Sequence, residues 1–463
     1  MRAARAVRWW TALLAVSLAS SGLSCTSFDL FKGPGDAGAP TKVAHDATTP
    51  DAVARAASDA RVSDAPRCTT PWQQTSPDAS CSDRQLFSVT TGVGPIQLLH
   101  IARAFDGDVA ILYGVSVDAG VALTLMIVDP VTHDIRHTQT IASAPSFDSA
   151  AISYDDHGTL SIAYHAAPGD GVVYVAMDGG LEAAPPETVV ADASASLLAL
   201  STIPSAADAG TPGPLGFVDG TVGIAWFPAP PAPNDFSLSF LHLFARQSTG
   251  WNDVEQYGYT QVRSDLTLQP NAQLGVVASG VEYSADPTEP YEGCTWEMAG
   301  RVSQCGPSGQ LYGLSLSVGA TDAYRAYTFP DPTTGVTTLD VATDTDGTYT
   351  FPLLSTVTTF PDAVTGGQAE PRAGLVGSTL AIAVAYPTRD LTHRVDFATW
   401  DVDSGAATTE RVTTVTTSGS ATPALDLVID KGGVPTFAIA DPGSGTIYLA
   451  RAVLPSASSV GSH

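Results

Sequence analysis

Lysine is nearly missing from this chain: only Lys32, Lys42 and Lys431 occur in 463 residues. Primary-amine chemistry therefore has few candidates. Basic residues number 21 against 47 acids, for a formal charge of −26, and a surface of that sign repels phosphate backbones and anionic headgroups. Nucleic acid is excluded as a partner class. Charged residues of both signs together make up 15% of the chain, which is poor in the material of long solvated helices. The apolar run Trp9 to Ala19 is too short to cross a bilayer. There is no G-x-S-x-G, P-loop, H-E-x-x-H or dinucleotide fingerprint, so nucleophilic, phosphoryl-transfer, zinc-hydrolase and hydride chemistry have no support. No catalytic residue, metal ligand or cofactor is assigned.

What the chain does have is turn chemistry. It carries 42 Gly and 33 Pro among 44% apolar residues, a composition suited to many short strands. The stretch Ala150 to Ala176, AAISYDDHGTLSIAYHAAPGDGVVYVA, returns near the C-terminus as ALDLVIDKGGVPTFAIADPGSGTIYLA, Ala424 to Ala450. Each copy runs from an apolar strand into an Asp-containing turn with a Gly (Asp155 and Gly158; Asp430 and Gly433), then through two further strands, the last with a Tyr (Tyr174, Tyr448).

The middle strand of this unit recurs as VAILYG ending near Tyr113, LSIAYH at Tyr164, VGIAWF at Trp226, LGVVASGVEY at Tyr283, AYRAYTF at Tyr327, LAIAVAY at Tyr386 and PTFAIA at Ile439. A spacing of about 50 residues with short strands is the signature of a β-propeller. The fold class is all-β: a single propeller over residues 84–455, seven-bladed if the weak unit at Tyr283 counts, with six or eight as alternatives. Small residues in the middle strands (Ala110, Ala163, Ala225, Ala383) suit close packing of blade on blade. The rival architecture is two or three β-sandwich domains in series. No polar linker after Cys81 divides the chain in that way.

Ahead of the repeats, residues 1–24 have the layout of a secretory signal: a basic start, a short apolar core and small residues before Cys25. The Ser24-Cys25 junction resembles a bacterial lipoprotein signal, with Leu23 one place from where that family sets its Leu. The resemblance implies lipidation of Cys25 and a membrane partner through the lipid. Residues 25–66, rich in Ala, Asp and Pro, read as a disordered tether. A Cys-containing lead-in follows over 67–83, and residues 456–463 form a disordered tail. With Cys25 set aside, four cysteines remain in an exported chain, and the short-loop pairs are Cys68 with Cys81 and Cys294 with Cys305.

The repeats resemble those of exported bacterial propellers of the sialidase-like, Asp-box-related type, whose loose consensus is an apolar strand, D-x-x-G, a strand ending in A-Y and a strand ending in Y-x-A. The true Asp-box, S-x-D-x-G-x-T-W, is absent: SYDDHG from Ser153 shifts the Gly by one, and TDTDGTYTF from Thr343 lacks the Asp two places before Gly347. The resemblance implies the fold without implying sialidase activity.

The acids Asp106, Asp155, Asp219 and Asp430 share one repeat position and read as turn residues. His133 and His137 sit four apart on a strand-like stretch and read as solvated, while His157 and His165 fall at blade turns. DVDSG, Asp401 to Gly405, resembles the start of a calcium loop but lacks the later ligands and reads as a turn, with a structural calcium there as the alternative. Trp296, Tyr291 and Tyr257, in the irregular region Ser248 to Cys305, are the candidate ligand contacts, with Trp296 expected as an exposed aromatic beside a disulfide.

The function these readings support is an outer-membrane or surface propeller, lipid-anchored, serving as a binding or scaffold module for a protein or glycan. The alternatives are a glycoside hydrolase or lyase using acids in the axial funnel, and a periplasmic or secreted lectin-like propeller. Convergence of acids, Arg and Tyr from different blades on the axis separates the enzyme from the scaffold.

Overall fold

A computed structural model describes residues 87–452 apart from several connecting stretches, the longest being 204–220 and 229–239. The signal, Cys25, the tether, Cys68, Cys81 and the C-terminal tail lie outside the described residues. The chain divides into Met1–Arg67 and Cys68–His463, and every described strand belongs to the second unit.

Twenty-nine strands form seven antiparallel sheets, and no helix occurs among the described residues. Each sheet holds four strands in meander order, with a two-residue addition, Glu182–Ala183, in the second. The first strands of the seven sheets are Ile96–Arg103, Ser146–Tyr154, Ser196–Ile203, Val262–Asn271, Gly313–Val318, Glu370–Val376 and Ala424–Ile429. Each of these packs against its successor, and the seventh packs against the first. The result is a seven-bladed β-propeller with these strands lining the axis. Blades are numbered here in the order of their inner strands.

The seven recurring segments found in the sequence, six tipped by an aromatic and the last by Ile439, are the second strands of the seven blades: Val109–Val117, Leu160–Ala167, Thr221–Pro228, Gly275–Tyr283, Ala323–Pro330, Thr379–Pro387 and Pro435–Asp441. The weak unit at Tyr283 is blade 4. The series-of-sandwiches alternative is thereby set aside, because the inner strands form one closed ring.

Ring closure uses both ends of the repeat region. The outermost strand of blade 7 is Phe87–Thr90, paired with Thr446–Arg451 from the other end of the array. The last blade would otherwise expose an unpaired edge.

Apolar clusters fill all seven seams between neighbouring blades. Blade 6 shows how the sequence writes this. In LAIAVAY the larger Leu380, Ile382, Val384 and Tyr386 face blade 5, and Ala381, Ala383 and Ala385 face blade 7. Alternation between two buried faces replaces the usual alternation between core and solvent. Ala110, Ala163, Ala225 and Ala383 are all fully buried. A bulkier side chain at these places would push two blades apart.

Arg325, in the second strand of blade 5, is the largest charged group sealed inside a seam. Its Nε donates to Thr295 Oγ1 at 2.8 Å and its Nη1 to the Gly293 carbonyl at 3.1 Å, both in blade 4. Hydrogen bonding of this kind offsets the desolvation of the buried guanidinium.

Candidate functional site

The inner strands all begin at one face of the ring, called here the upper face, and end at the other. Along the axis they enclose two chambers. The upper one, of about 380 Å³, is lined by residues of all seven inner strands, among them His100, Asp148, Asp265, Arg372 and Asp426. The lower one, of about 440 Å³, is lined by Arg103, Tyr154, Asp155, Val318, Leu375 and Ile429 among others. Gln269, Ala373 and Leu427 border both and mark the waist between them.

Side chains of the inner strands first serve the ring itself. Asp426 Oδ2 accepts the Ile101 amide of blade 1 at 2.9 Å. Ser149 Oγ accepts the Leu198 amide of blade 3 at 3.0 Å, and Ser315 Oγ accepts the Ala373 amide of blade 6 at 3.0 Å. In each case an inner strand satisfies a backbone donor of the next blade at the axis, where no further strand exists to pair with it.

The centre of the upper chamber is Arg372. Its Nη1 reaches Asp265 Oδ1 at 3.3 Å and its Nη2 lies 3.8 Å from Glu370 Oε2. Asp265 belongs to blade 4 and Arg372 to blade 6, so the pair spans the mouth past the inner strand of blade 5. Asp265 is the sole non-glycine residue among those described with a left-handed backbone, φ 53°. It sits where the register between the first two strands of blade 4 shifts, between Ser264 and Thr267. A left-handed Asp costs on the order of 1 kcal/mol. The bulge sets this carboxylate against a guanidinium from a blade two places away.

Two acids of the chamber, Asp426 and Asp148, are each paired with a histidine. His100 Nδ1 lies 3.7 Å from Asp426 Oδ2, and His165 Nδ1 lies 3.1 Å from Asp148 Oδ2. Enclosure holds the His100 imidazole below its ordinary pKa, against the opposing pull of Asp426. It is therefore neutral at pH 7. Enclosure likewise pushes the Glu370 carboxyl up, with Arg372 pulling it down and Asp265 pushing it further up. Four carboxylic acids thus face one guanidinium and a neutral imidazole.

In the lower chamber Arg103 donates to the Ile429 carbonyl at 2.9 Å. Burial, then Asp106 and Asp108, push the Tyr154 hydroxyl well above its ordinary value. It is a neutral hydrogen-bonding group there.

The residues singled out in the sequence fall elsewhere. Trp296, expected as an exposed contact, is fully buried in the seam between blades 3 and 4, against Phe227, Leu241 and Leu243. The correction has a steric cause: Gly280 leaves room for the indole, since a Cβ there would lie 3.4 Å from the Trp296 ring and 3.2 Å from the Ser264 carbonyl oxygen. Tyr291 lies on the upper side of blade 4, with Arg263 4.1 Å over its ring and Tyr283 5.6 Å away. Tyr257 lies in the outer strand of blade 3, and the structure describes its backbone alone. Cys294 and Cys305 are disulfide-bonded across directly opposed positions of blade 4.

Among the turn acids, Asp155 Oδ1 accepts the Thr159 amide at 2.7 Å and Asp106 Oδ1 the Asp108 amide at 3.1 Å. Asp219 and Asp430 lie outside the described residues, as do His133 and His157. His137 is bound to Gln139 on the outer strand of blade 1. His165, read as a rim histidine, is instead fully buried. Asp401 accepts the Ser404 amide and hydroxyl in a turn, which holds its carboxyl below the ordinary value.

The sequence does not single out the funnel residues Asp148, Asp265, Glu370, Arg372 and Asp426, because they share no single repeat position as the turn acids do. Their signal is a charge near the start of a strand that runs on into apolar residues: SFDSAAISY, VRSDLTLQ, EPRAGLV and ALDLVI. Such a residue needs a polar space or a counter-charge.

No family model matches the chain, and no curated protein matches it. Among solved structures it is similar to a protein of unknown function from Dyadobacter fermentans, at 10% identity and TM-score 0.41, covering 66% of this chain and 94% of that one. It is also similar to the NanB sialidase from Streptococcus pneumoniae, at 8% identity and TM-score 0.40, covering 80% and 70%. A third is polysaccharide lyase Uly1, at 8% identity and TM-score 0.44, covering 79% and 90%. At such identities the likeness is one of fold alone, and the fold rests on the ring of seven sheets itself.

Proposed function

We propose that this protein is an exported, lipid-anchored propeller whose upper axial chamber captures a polyhydroxylated ligand without anionic groups, an amino sugar being the best match. The observation that carries this reading is the Asp265–Arg372–Glu370 arrangement across the mouth. Backbone strain and a cross-ring ion pair hold polar groups in a cavity where apolar packing would be more stable. Asp148 and Asp426 add negative charge, and low-dielectric walls focus it. Arg372 is clamped between two carboxylates, which leaves a carboxylate-bearing sugar without a ready partner.

Titration calorimetry with a glucosamine oligomer, a cello-oligosaccharide and sialyllactose tests the reading. Binding of the amino sugar is expected, weakened at least tenfold by Asp265→Asn combined with Glu370→Gln. Binding of sialyllactose alone, or amino-sugar binding indifferent to the double substitution, would falsify it.

A second reading has an observation of its own. Glu370, with its carboxyl pushed up, and Asp265 lie within the span of one guanidinium. Two carboxyl groups held close together are what glycoside cleavage requires: one to protonate the leaving oxygen, the other to attack or to activate water. If the site cleaves, the same oligomers release reducing ends during long incubation and Glu370→Gln stops it. Intact oligomers after incubation leave the binding reading alone.

A further inference from the structure

A second surface of the ring, away from the axis, sets aromatic rings beside polar groups. In blade 3 the third strand is Phe240–Gln247 and the outer strand is Gly250–Gly258. Phe240, His242 and Phe244 alternate onto one face of the third strand, with Trp226 of the second strand directly opposite His242. The rings form a continuous strip: Phe240 to His242 at 6.1 Å, His242 stacked on Phe244 at 5.8 Å, and Trp226 to His242 at 5.1 Å. This face is turned toward blade 2, since Trp226 and Phe244 share a cluster with Ala163, Val172 and Tyr174.

Blade 2 meets blade 3 beside the strip. There Tyr174 meets Trp251 edge-on at 5.0 Å, and Glu187 holds Arg246 and accepts the Trp251 indole N–H at 3.1 Å. The outer strand of blade 2 is the four residues Glu187–Val190, against nine in the outer strand of blade 3. At the upper end of the strip the first residue of the third strand, Phe240, keeps part of its ring open. Phe240 is 37% exposed, one of four large apolar side chains so placed among the described residues.

Beside the open end stands a polar fork. Asp253 Oδ2 binds His242 Nδ1 at 2.8 Å and accepts from Gln256 Nε2 at 2.5 Å. Both Asp253 and Gln256 are exposed to solvent. At the base of the strip the Trp226 indole N–H is buried with no hydrogen-bond partner, although Trp226 as a whole is only 8% exposed. A buried donor left in that state costs about 1–3 kcal/mol unless a ligand or water reaches it.

From this combination we infer that the upper ledge of blade 3 is a second binding site, separate from the axial chamber, for a neutral pyranose ring. The C–H face of the sugar lies on the exposed Phe240 ring, with the edge of the half-buried His242 ring beside it. Adjacent hydroxyls donate to Asp253 and accept from Gln256, and the Asp253 carboxylate turns away anionic sugars. Few convergent polar groups beside an apolar wall are the ordinary make-up of small-molecule sites.

Saturation-transfer NMR on the whole protein, with the methyl glycosides of glucose, galactose, mannose and N-acetylglucosamine at millimolar concentration, tests the site. Transfer to at least one ring is expected, strongest on the protons of its apolar face. Read in the protein that also carries Asp265→Asn and Glu370→Gln, so that the axial chamber does not contribute, transfer should persist, Phe240→Ala and Asp253→Ala should each abolish it, and Phe240→Tyr should retain it. The exposed position of Phe240 makes the fold insensitive to its truncation, which an unshifted thermal melt verifies. The inference is overturned if none of the four glycosides receives transfer, if transfer survives both alanine substitutions, or if only the axial substitutions remove it.

Discussion

Trp296→Ala is expected to destabilise the protein by about 3–5 kcal/mol, the range for removing a large aromatic side chain from a close-packed core. The indole is fully buried and packs between blades 3 and 4, where Phe227, Leu241, Leu243 and Ala245 form one wall and Val262, Leu266 and Leu268 the other. Nothing in this seam can collapse easily into the void. The neighbouring strands are pinned by their ladders, and the Cys294–Cys305 bond fixes the strand that carries Trp296. A lateral cavity in a ring also weakens both blades that border it. Trp296→Phe should recover a good part of the loss, because an apolar ring still fills most of the space. Urea denaturation of the three proteins measures this. A loss below about 1 kcal/mol for the alanine variant would show that Trp296 is not a core residue and would reopen its reading as a ligand contact.

The second large effect belongs to Arg372→Ala. The substitution leaves Asp265 and Glu370 facing one another in the chamber without their shared counter-charge. Breaking a buried pair in this way costs about 3–5 kcal/mol when the remaining charge is fully enclosed. Here Arg372 and Glu370 keep 24% and 27% of their side-chain surface exposed, so the lower end, about 3 kcal/mol at neutral pH, is expected. The pH dependence has a definite sign. Glu370 is already raised above its ordinary 4.5 in the folded protein, and loss of Arg372 removes the largest influence pulling it down. A carboxyl with a raised folded-state pKa opposes folding when ionised, and that opposition is relieved as pH falls through the folded pKa toward the unfolded one. The stability gap between wild type and Arg372→Ala should therefore be widest at pH 7 and above, and narrow steadily toward pH 4.5. A gap that is constant over that interval, or that widens on acidification, would mean that the guanidinium does not compensate these carboxylates.

Both effects arise from features that differ in how openly the sequence displays them. The seven second strands could be read because they are buried on both faces, so each is a short apolar run, tipped by an aromatic in six of them and by Ile439 in the seventh, and repeated about every 50 residues. Even the weak unit at Tyr283 kept this form, although Gly280 interrupts it to admit Trp296. Trp296 itself was misread for a local reason. In YEGCTWE, an aromatic beside a cysteine and two acids has the composition of a surface loop, whereas in the sheet Cys294 and Trp296 share the face turned to blade 3. Burial there depends on a neighbouring blade more than 40 residues away in sequence, which local composition does not report.

The axial site illustrates the same division. Repeat spacing, turn chemistry and blade-to-blade alanines are properties of a strand and its immediate neighbours, so the amino-acid order alone was enough to establish an all-β ring of repeated sheets. Which acids meet is a property of ring closure. Asp265 and Arg372 are 107 residues apart, and Asp426 reaches Ile101 across 325. Only the cyclic arrangement, closed by Phe87–Thr90 on the last blade, brings the starts of all the inner strands to one mouth and turns isolated charges into a site.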